Sequence, residues 1–141
     1  MTIENIRDTG RNSARTVDVR VLAEKIQKPS DTEAVVAANV ITAAESGTRF
    51  VMNVAAAKVS TLPAPAAGLE YWFYVGATEP TGTHTIVTAS SANIIVGNVS
   101  SPEDAAGSVA TVTDADTISL VASKAVHGDF VHVWSDGTNW Y

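Results

Sequence analysis

The stretch Phe130-Val-His-Val-Trp-Ser-Asp-Gly-Thr-Asn-Trp-Tyr141 has the pattern of two short β-strands joined by a turn. β-branched and aromatic residues lie on both sides of Asp136 and Gly137. An Asp-Gly pair supplies the positive φ angles that a tight two-residue hairpin turn requires. The end of the chain is therefore predicted to be a β-hairpin.

The first strand of this hairpin, at 130–134, has large apolar side chains on both faces, and so does the stretch 69–75. Successive side chains of a strand point to opposite faces, so neither stretch has a polar face. A strand with two apolar faces is expected where a small sheet is also covered by a neighbouring subunit, or where its core wraps around an edge. We therefore predict a homo-oligomer, and its candidate interface residues are Trp72, Tyr74, Phe130 and Trp134.

The rest of the chain from residue 34 onward consists of short β-branched runs separated by Gly, Pro, Asn, Asp and Ser. The candidate strands are 35–42, 49–54, 58–62, 69–75, 84–89, 94–99, 109–113, 117–122, 130–135 and 138–141. This spacing is typical of all-β sandwiches and barrels. No repeat of constant period is visible, which argues against a solenoid. We predict an all-β fold, a compact β-sandwich or barrel over residues 34–141.

The first thirty residues have a different character, because they are polar and rich in arginine. Their one apolar run, at 16–26, is compatible with either a helix or a strand. Residues 1–33 are therefore predicted to form an extended N-terminal arm. Charge follows the same division: residues 1–58 contain eight of the nine basic residues and have a net charge of +1, whereas residues 59–141 have a net charge of −7.

The overall composition excludes several classes of protein. With 141 residues, 45% of them hydrophobic and 17% charged, the chain has material for one folded domain. A net charge of −6 argues against a protein that binds nucleic acid. Without cysteine there is no disulfide framework. No apolar run approaches the ~18 residues of a membrane span, and no secretory signal is visible, so we expect a soluble protein synthesised in the cytoplasm.

Residues with catalytic or metal-binding chemistry do not form a recognisable motif. The three histidines, His84, His127 and His132, lack the spacing of convergent metal ligands, and Asp114-Ala115-Asp116 lacks the rest of a calcium loop. No serine lies in a Gly-x-Ser-x-Gly motif, and the glycines do not form a phosphate-binding loop. The sequence therefore predicts neither an enzyme nor a metal or other cofactor.

Four segments together resemble small structural proteins of tailed bacteriophages. They are Val40-Ile-Thr-Ala-Ala-Glu-Ser-Gly-Thr-Arg-Phe, Thr61-Leu-Pro-Ala-Pro-Ala-Ala-Gly-Leu-Glu-Tyr-Trp-Phe, Thr85-Ile-Val-Thr-Ala and Gly128-Asp-Phe-Val-His-Val-Trp-Ser-Asp-Gly-Thr-Asn-Trp-Tyr. The resemblance extends from Val40 to the end of the chain. It is to capsid decoration (cement) proteins and to related β-modules of tail fibres, and it implies a β-rich, trimeric module without catalytic residues.

Of the virion locations that this resemblance allows, we expect the outer surface of the capsid, with the major capsid protein as the partner. An acidic body suits that position, because it lies away from the packaged DNA. An extended arm of thirty residues reaches ~100 Å across neighbouring capsid subunits. The candidate capsid contacts are Arg7, Arg11, Arg15 and Arg20. The alternative is a tail-fibre or receptor-binding module that binds carbohydrate through exposed aromatic residues.

Overall fold

The computed structural model describes residues 31–100 and 109–141, which contain ten β-strands and two single turns of 3-10 helix. The strands are β1 (Thr32–Ala34), β2 (Asn39–Val40), β3 (Arg49–Met52), β4 (Val59–Thr61), β5 (Glu70–Val75), β6 (His84–Val87), β7 (Ile95–Ser100), β8 (Val109–Ala115), β9 (Thr117–Leu120) and β10 (Phe130–Trp134). The helical turns are Ala43–Glu45 and Ala89–Ser91. The predicted all-β class with little helix is confirmed for these residues.

The first six strands alternate between two sheets, so the chain winds as a coil. Sheet A receives β1, β3 and β5, and sheet B receives β2, β4 and β6, with parallel pairing in both. Parallel neighbours need a crossover connection, and here each crossover contains a strand of the other sheet. Thr32, Arg49 and Trp72 occupy paired positions on successive turns, separated by 17 and then 23 residues. These unequal turns explain why the sequence shows no constant repeat.

The last two strands of the coil sheets run in the opposite direction. β9 pairs with β6 in sheet B, and β10 pairs with β5 in sheet A, both antiparallel. Between them in sequence, β7 and β8 form a separate two-stranded antiparallel sheet. None of the three sheets closes on itself within the described residues, so these strands do not form the barrel that was one form of the prediction.

Both coil sheets contribute to a single hydrophobic core. Phe50 and Phe73 of sheet A are fully buried and their ring centroids lie 5.3 Å apart. Ile86 of sheet B and Leu62, which follows β4, belong to the same cluster. Burying a side chain of this size contributes about 1.5–3 kcal/mol, so this shared cluster is the main force that holds the two sheets together.

Trp140 anchors the end of the chain in this core. Its side chain is fully buried, and its ring lies 5.8 Å from that of Tyr71. Its backbone N–H donates to Ile94 O at 2.8 Å, and its carbonyl accepts from Val96 N at 2.8 Å. The last residues therefore connect sheet A to the start of β7.

The predicted strand at 35–42 is wrong, because this stretch spans a corner of the coil. β1 ends before it in sheet A, and β2 lies within it in sheet B. Val35 and Ile41 are buried, but Val36 between them is 67% exposed. The chain passes from one sheet to the other within this apolar run, and the alternation of side chains does not show where one strand ends and the next begins.

The predicted terminal hairpin forms, but with a longer loop and a short second arm. Trp134 and Tyr141 exchange two backbone hydrogen bonds, of 3.0 and 2.8 Å, and 136–139 form a four-residue loop between the bridged pair Ser135 and Trp140. Only Gly137 has a positive φ, +105°, and Asp136 does not. The predicted two-residue turn is therefore wrong, and the predicted strand at 138–141 is reduced to this bridge. The long pairing partner of β10 is β5.

Candidate interaction surface

Sheet A has one buried and one exposed face, and the strand alternation fixes which side chains lie on each. In β5, Tyr71 and Phe73 point into the core, which places Trp72 and Tyr74 on the outside. In β10, Val133 is buried, so the residues beside it face outward. We call the outward-facing group of Trp72, Tyr74, Phe130, His132 and Trp134 the aromatic face.

The rings of the aromatic face touch one another across the two strands. The antiparallel register pairs Phe130 with Tyr74 and His132 with Trp72. The His132 and Trp72 ring centroids lie 3.9 Å apart and their planes differ by 13°. Phe130 lies 5.9 Å from Tyr74 and 6.0 Å from Trp72. The group is therefore one continuous surface whose positions are set by backbone pairing.

This surface is accessible to a partner. Phe130 is 59% exposed and Trp134 is 46% exposed, whereas Trp72 and Tyr74 are half-buried. Isolated apolar residues on a surface need no explanation, but contiguous ones typically mark a site of protein or ligand contact. Flat, rigid rings provide large contact area at a small entropic cost.

Carboxylates lie along one border of the aromatic face. Glu70 pairs with Trp134 across the strands, and its Oε2 lies 3.5 Å from His132 Nε2. Tyr141 stacks on Trp134 with ring centroids 4.7 Å apart, and its hydroxyl donates to Asp136 Oδ2 at 3.0 Å. The border therefore offers negative charge and hydrogen-bond acceptors beside exposed rings.

The Asp136 carboxylate also organises the hairpin loop. Its Oδ1 accepts hydrogen bonds from the N–H groups of Asn139, at 2.9 Å, and Thr138, at 2.7 Å. These bonds, with the bond from the Tyr141 hydroxyl, favour the charged form and lower the pKa of Asp136. The loop therefore depends on an ionised carboxylate.

The four residues predicted for a subunit interface, Trp72, Tyr74, Phe130 and Trp134, all lie on the aromatic face. Alternation within each strand was enough to select them. Glu70 was not among the predicted site residues, because its place beside Trp134 depends on strand register. The amino-acid sequence alone does not show which residues of the two strands lie opposite each other.

The arginine candidates Arg7, Arg11, Arg15 and Arg20 lie outside the described residues. The predicted boundary between arm and domain, at 33/34, falls within β1, so Thr32 and Glu33 already belong to sheet A.

Two of the three histidines, His84 and His127, lie away from the aromatic face. His84 is fully buried and its ring nitrogens contact backbone groups of Lys58 and Val54, both at 3.0 Å. His127 is exposed. In residues 31–100 and 109–141, no three His, Asp or Glu side chains come together as metal ligands would.

A pair of glutamates lies near the first turn of the coil. Burial raises the pKa of Glu33, and the charge and side-chain hydrogen bond of Glu45 raise it further. Glu45 also accepts hydrogen bonds from the backbone N–H and the hydroxyl of Thr42, at 2.7 and 2.6 Å. These contacts hold the corner between β2 and β3, so we assign the pair a structural role.

Among the described residues, no helix has the length and apolar character that a membrane crossing requires. No protein-family model, curated protein or solved structure matches the chain.

Proposed function

We propose that this chain is a structural protein of a tailed-phage virion, a decoration or cement protein that binds the outside of the capsid and stabilises the shell. The aromatic face is the observation that carries this proposal. Five ring side chains on two paired strands lie outside the core and are held at fixed positions. That arrangement suits a surface that joins macromolecules.

The aromatic face serves, in this proposal, as the contact between copies of the chain in a homotrimer. Its exposed apolar rings, of which Phe130 is the most exposed, match the composition of subunit interfaces. The sandwich form of the fold, the extended arm and the place on the outer capsid surface belong to the same proposal.

The distribution of charge along the sequence supports the proposed contacts with the capsid. The strongly acidic part of the sequence, residues 59–141, suits the outside of a shell better than the DNA-filled interior. Arg7, Arg11, Arg15 and Arg20 are the proposed contacts to the major capsid protein, since guanidinium groups form strong paired bonds to carboxylates.

The location of the protein in purified virions tests this function. Labelling with an antibody against the chain, together with quantitative mass spectrometry, measures both position and copy number. We expect hundreds of copies spread over the head. A few copies at the tail would contradict the proposal and support a fibre module.

The second candidate function is a receptor-binding or tail-fibre module that recognises carbohydrate. The border of the aromatic face favours it, because Trp134 and Tyr141 stack beside the carboxylates of Glu70 and Asp136. Sugars bind to aromatic side chains through their apolar ring faces and to carboxylates through their hydroxyls.

A glycan array with the intact chain and its Trp134→Ala variant separates the two functions. Saturable binding to defined host-surface glycans that is lost in Trp134→Ala supports the receptor-binding module. Unchanged sedimentation of the variant in the same experiment would also remove Trp134 from the proposed trimer contact.

A further inference from the structure

The coil has an open end. β1 is the edge strand of sheet A and β2 is the edge strand of sheet B, and no strand in the described ranges pairs with their outer sides. An uncovered edge presents unpaired N–H and C=O groups, and coiled or repeat folds need a cap at such an end.

Side chains at this end also lack a cover. Val40 of β2 is 76% exposed, more than any other large hydrophobic residue of the described ranges, and Val36 is 67% exposed. Asn39, beside Val40, has a buried side-chain oxygen without a hydrogen-bond partner. An incoming strand would cover one side of Val40 and would pair with the free backbone groups of β2.

The spacing of the coil identifies which residues would form that strand. Each connection from a strand of sheet B to the next strand of sheet A has the same length: 41–48 between β2 and β3, and 62–69 between β4 and β5, eight residues in each case. Since β1 begins at Thr32, an equal connection of 24–31 places the end of a preceding sheet B strand at Ala23.

The sequence at that position suits a strand. Val17-Asp-Val-Arg-Val-Leu-Ala23 is the one apolar run in the first thirty residues, and it ends at the required residue. β-branched residues favour strands. The connection that would follow contains Pro29, as the connection 62–69 contains Pro63 and Pro65.

We propose that residues 17–23 of this same chain pair in parallel with β2 and cap the open end of the coil. Alternation of sheets along the chain selects β2 as the partner rather than β1, because the strand before a sheet A strand belongs to sheet B. This inference does not depend on the proposed function. It shortens the arm that is available for capsid contacts to residues 1–16, so Arg7, Arg11 and Arg15 remain as arm contacts and Arg20 becomes part of the cap.

Cysteine pairing in the intact chain tests the proposal, since the natural sequence has no cysteine to interfere. Val40→Cys is combined in turn with Val21→Cys, Leu22→Cys and Ala23→Cys, and the variants are oxidised under mild conditions. Paired positions of neighbouring strands lie about 4.8 Å apart, within the separation of about 4.4–6.8 Å between Cα atoms that a disulfide spans. We expect one of the three pairs to cross-link rapidly within a single chain.

The matched control places the second cysteine at the opposite edge of sheet B. Ser119→Cys in β9 is also exposed on an edge strand, so the same three partners should cross-link to it far more slowly. Equal rates at Val40 and Ser119 would overturn the proposal. A cross-link only between two chains, seen as a dimer on a non-reducing gel, would overturn it in favour of a second copy.

Hydrogen exchange of the natural full-length chain tests the same proposal without any substitution. In a strand at 17–23 the alternate amides that point toward β2 should exchange at least about tenfold more slowly than the amides of residues 2–15. Uniform fast exchange over 2–23 would contradict the proposal even if the cysteine variants failed to fold.

Discussion

His84 stabilises the coil through two backbone hydrogen bonds rather than through chemistry at the surface. Its Nδ1 accepts from Lys58 N–H, so the proton lies on Nε2, which donates to Val54 O. Replacing the ring leaves a cavity and two backbone groups without their partner. We predict that His84→Ala lowers the free energy of unfolding by about 2–4 kcal/mol.

Urea unfolding followed by tryptophan fluorescence measures this change. His127→Ala is the control, because that side chain is exposed, and it should change the stability by less than about 0.5 kcal/mol. Similar losses in the two variants would contradict the structural role assigned to His84.

Asp136 gives the hairpin loop a dependence on acid. Because hydrogen bonds from Asn139 and Thr138 lower its pKa in the folded chain, the carboxylate stabilises the fold at neutral pH. That contribution is present above the unfolded pKa of about 3.8 and is lost as pH falls through the lower folded value. We predict that the stability difference between the natural chain and Asp136→Asn shrinks as the medium is acidified below about pH 4.

Denaturant unfolding at a series of pH values from about 5 to 2 measures this difference. Glu79→Gln, which alters an exposed carboxylate outside the loop, provides the comparison. A difference for Asp136→Asn that stays constant through this range would mean that ionisation of Asp136 does not stabilise the loop.

Gly137 permits the backbone path of the same loop. Its φ is +105°, and a Cβ built there lies 3.3 Å from Ala67 N. A β-branched side chain is strained in that conformation and close to the neighbouring chain segment. We predict that Gly137→Val costs about 1–3 kcal/mol and lowers Tm.

Thermal unfolding checks the Gly137 prediction against Gly97→Val. A Cβ at Gly97 meets nothing within 4 Å, and its φ is not positive, so that variant should retain most of the stability. An unchanged Tm for Gly137→Val would be incompatible with the loop geometry described above.

The two faces of β5 and β10 have different roles, since one packs in the core and the other is exposed. Inward side chains such as Val133 pack in the core, whereas outward side chains such as Phe130 and Trp134 are exposed and can contact a partner. We predict that the double variant Phe130→Ser/Trp134→Ser shifts the proposed homotrimer to monomer while the fold persists. Removing exposed rings lowers association but leaves the core intact.

Sedimentation velocity over a range of concentrations measures the shift, and circular dichroism checks the fold. Val133→Ser is the contrasting variant: its side chain is 1% exposed, so it should lower the stability of the subunit itself. A double variant that sediments like the natural chain would place the subunit contact elsewhere.

Local pattern predicted most elements but not their arrangement. The strands at β3, β5, β6 and β10 lie within the predicted ranges, because alternation and flanking turns are properties of adjacent residues. The parallel coil depends on pairing between residues 17 to 26 positions apart, such as Thr32 with Arg49 and Val59 with Thr85. Propensity holds no information about such partners.

The aromatic face, too, could be predicted only in part from the sequence. Trp72, Tyr74, Phe130 and Trp134 were selected from alternation alone, and each lies on the aromatic face. The stack of His132 on Trp72 and the place of Glu70 beside Trp134 depend on the register between β5 and β10. Tyr141 reaches Trp134 only because the hairpin loop contains four residues.

For the whole molecule, the coil separates two kinds of surface. One end of each coil sheet is completed by an antiparallel strand, β9 or β10, while the other end is formed by β1 and β2. β1, the first strand that the structure describes, lies at this second end. The predicted capsid-binding arginines precede β1 in sequence, and the aromatic face lies on a side of sheet A.

This division leads to a prediction for capsid attachment. Deleting residues 2–15 removes Arg7, Arg11 and Arg15 but keeps 17–23, which we propose as the cap. We expect the truncated chain to remain folded, to bind undecorated heads at least about tenfold more weakly, and to lose much of the salt dependence of binding, because each exposed charged contact is screened by salt. Replacing the same three arginines with glutamine should reproduce most of the loss if charge, rather than length, is responsible. Binding to heads is measured by co-sedimentation at several salt concentrations, with unfolding curves run on each variant. If the truncated chain binds as tightly as the full chain, attachment to the shell belongs to the β-domain and the arm takes no part in it.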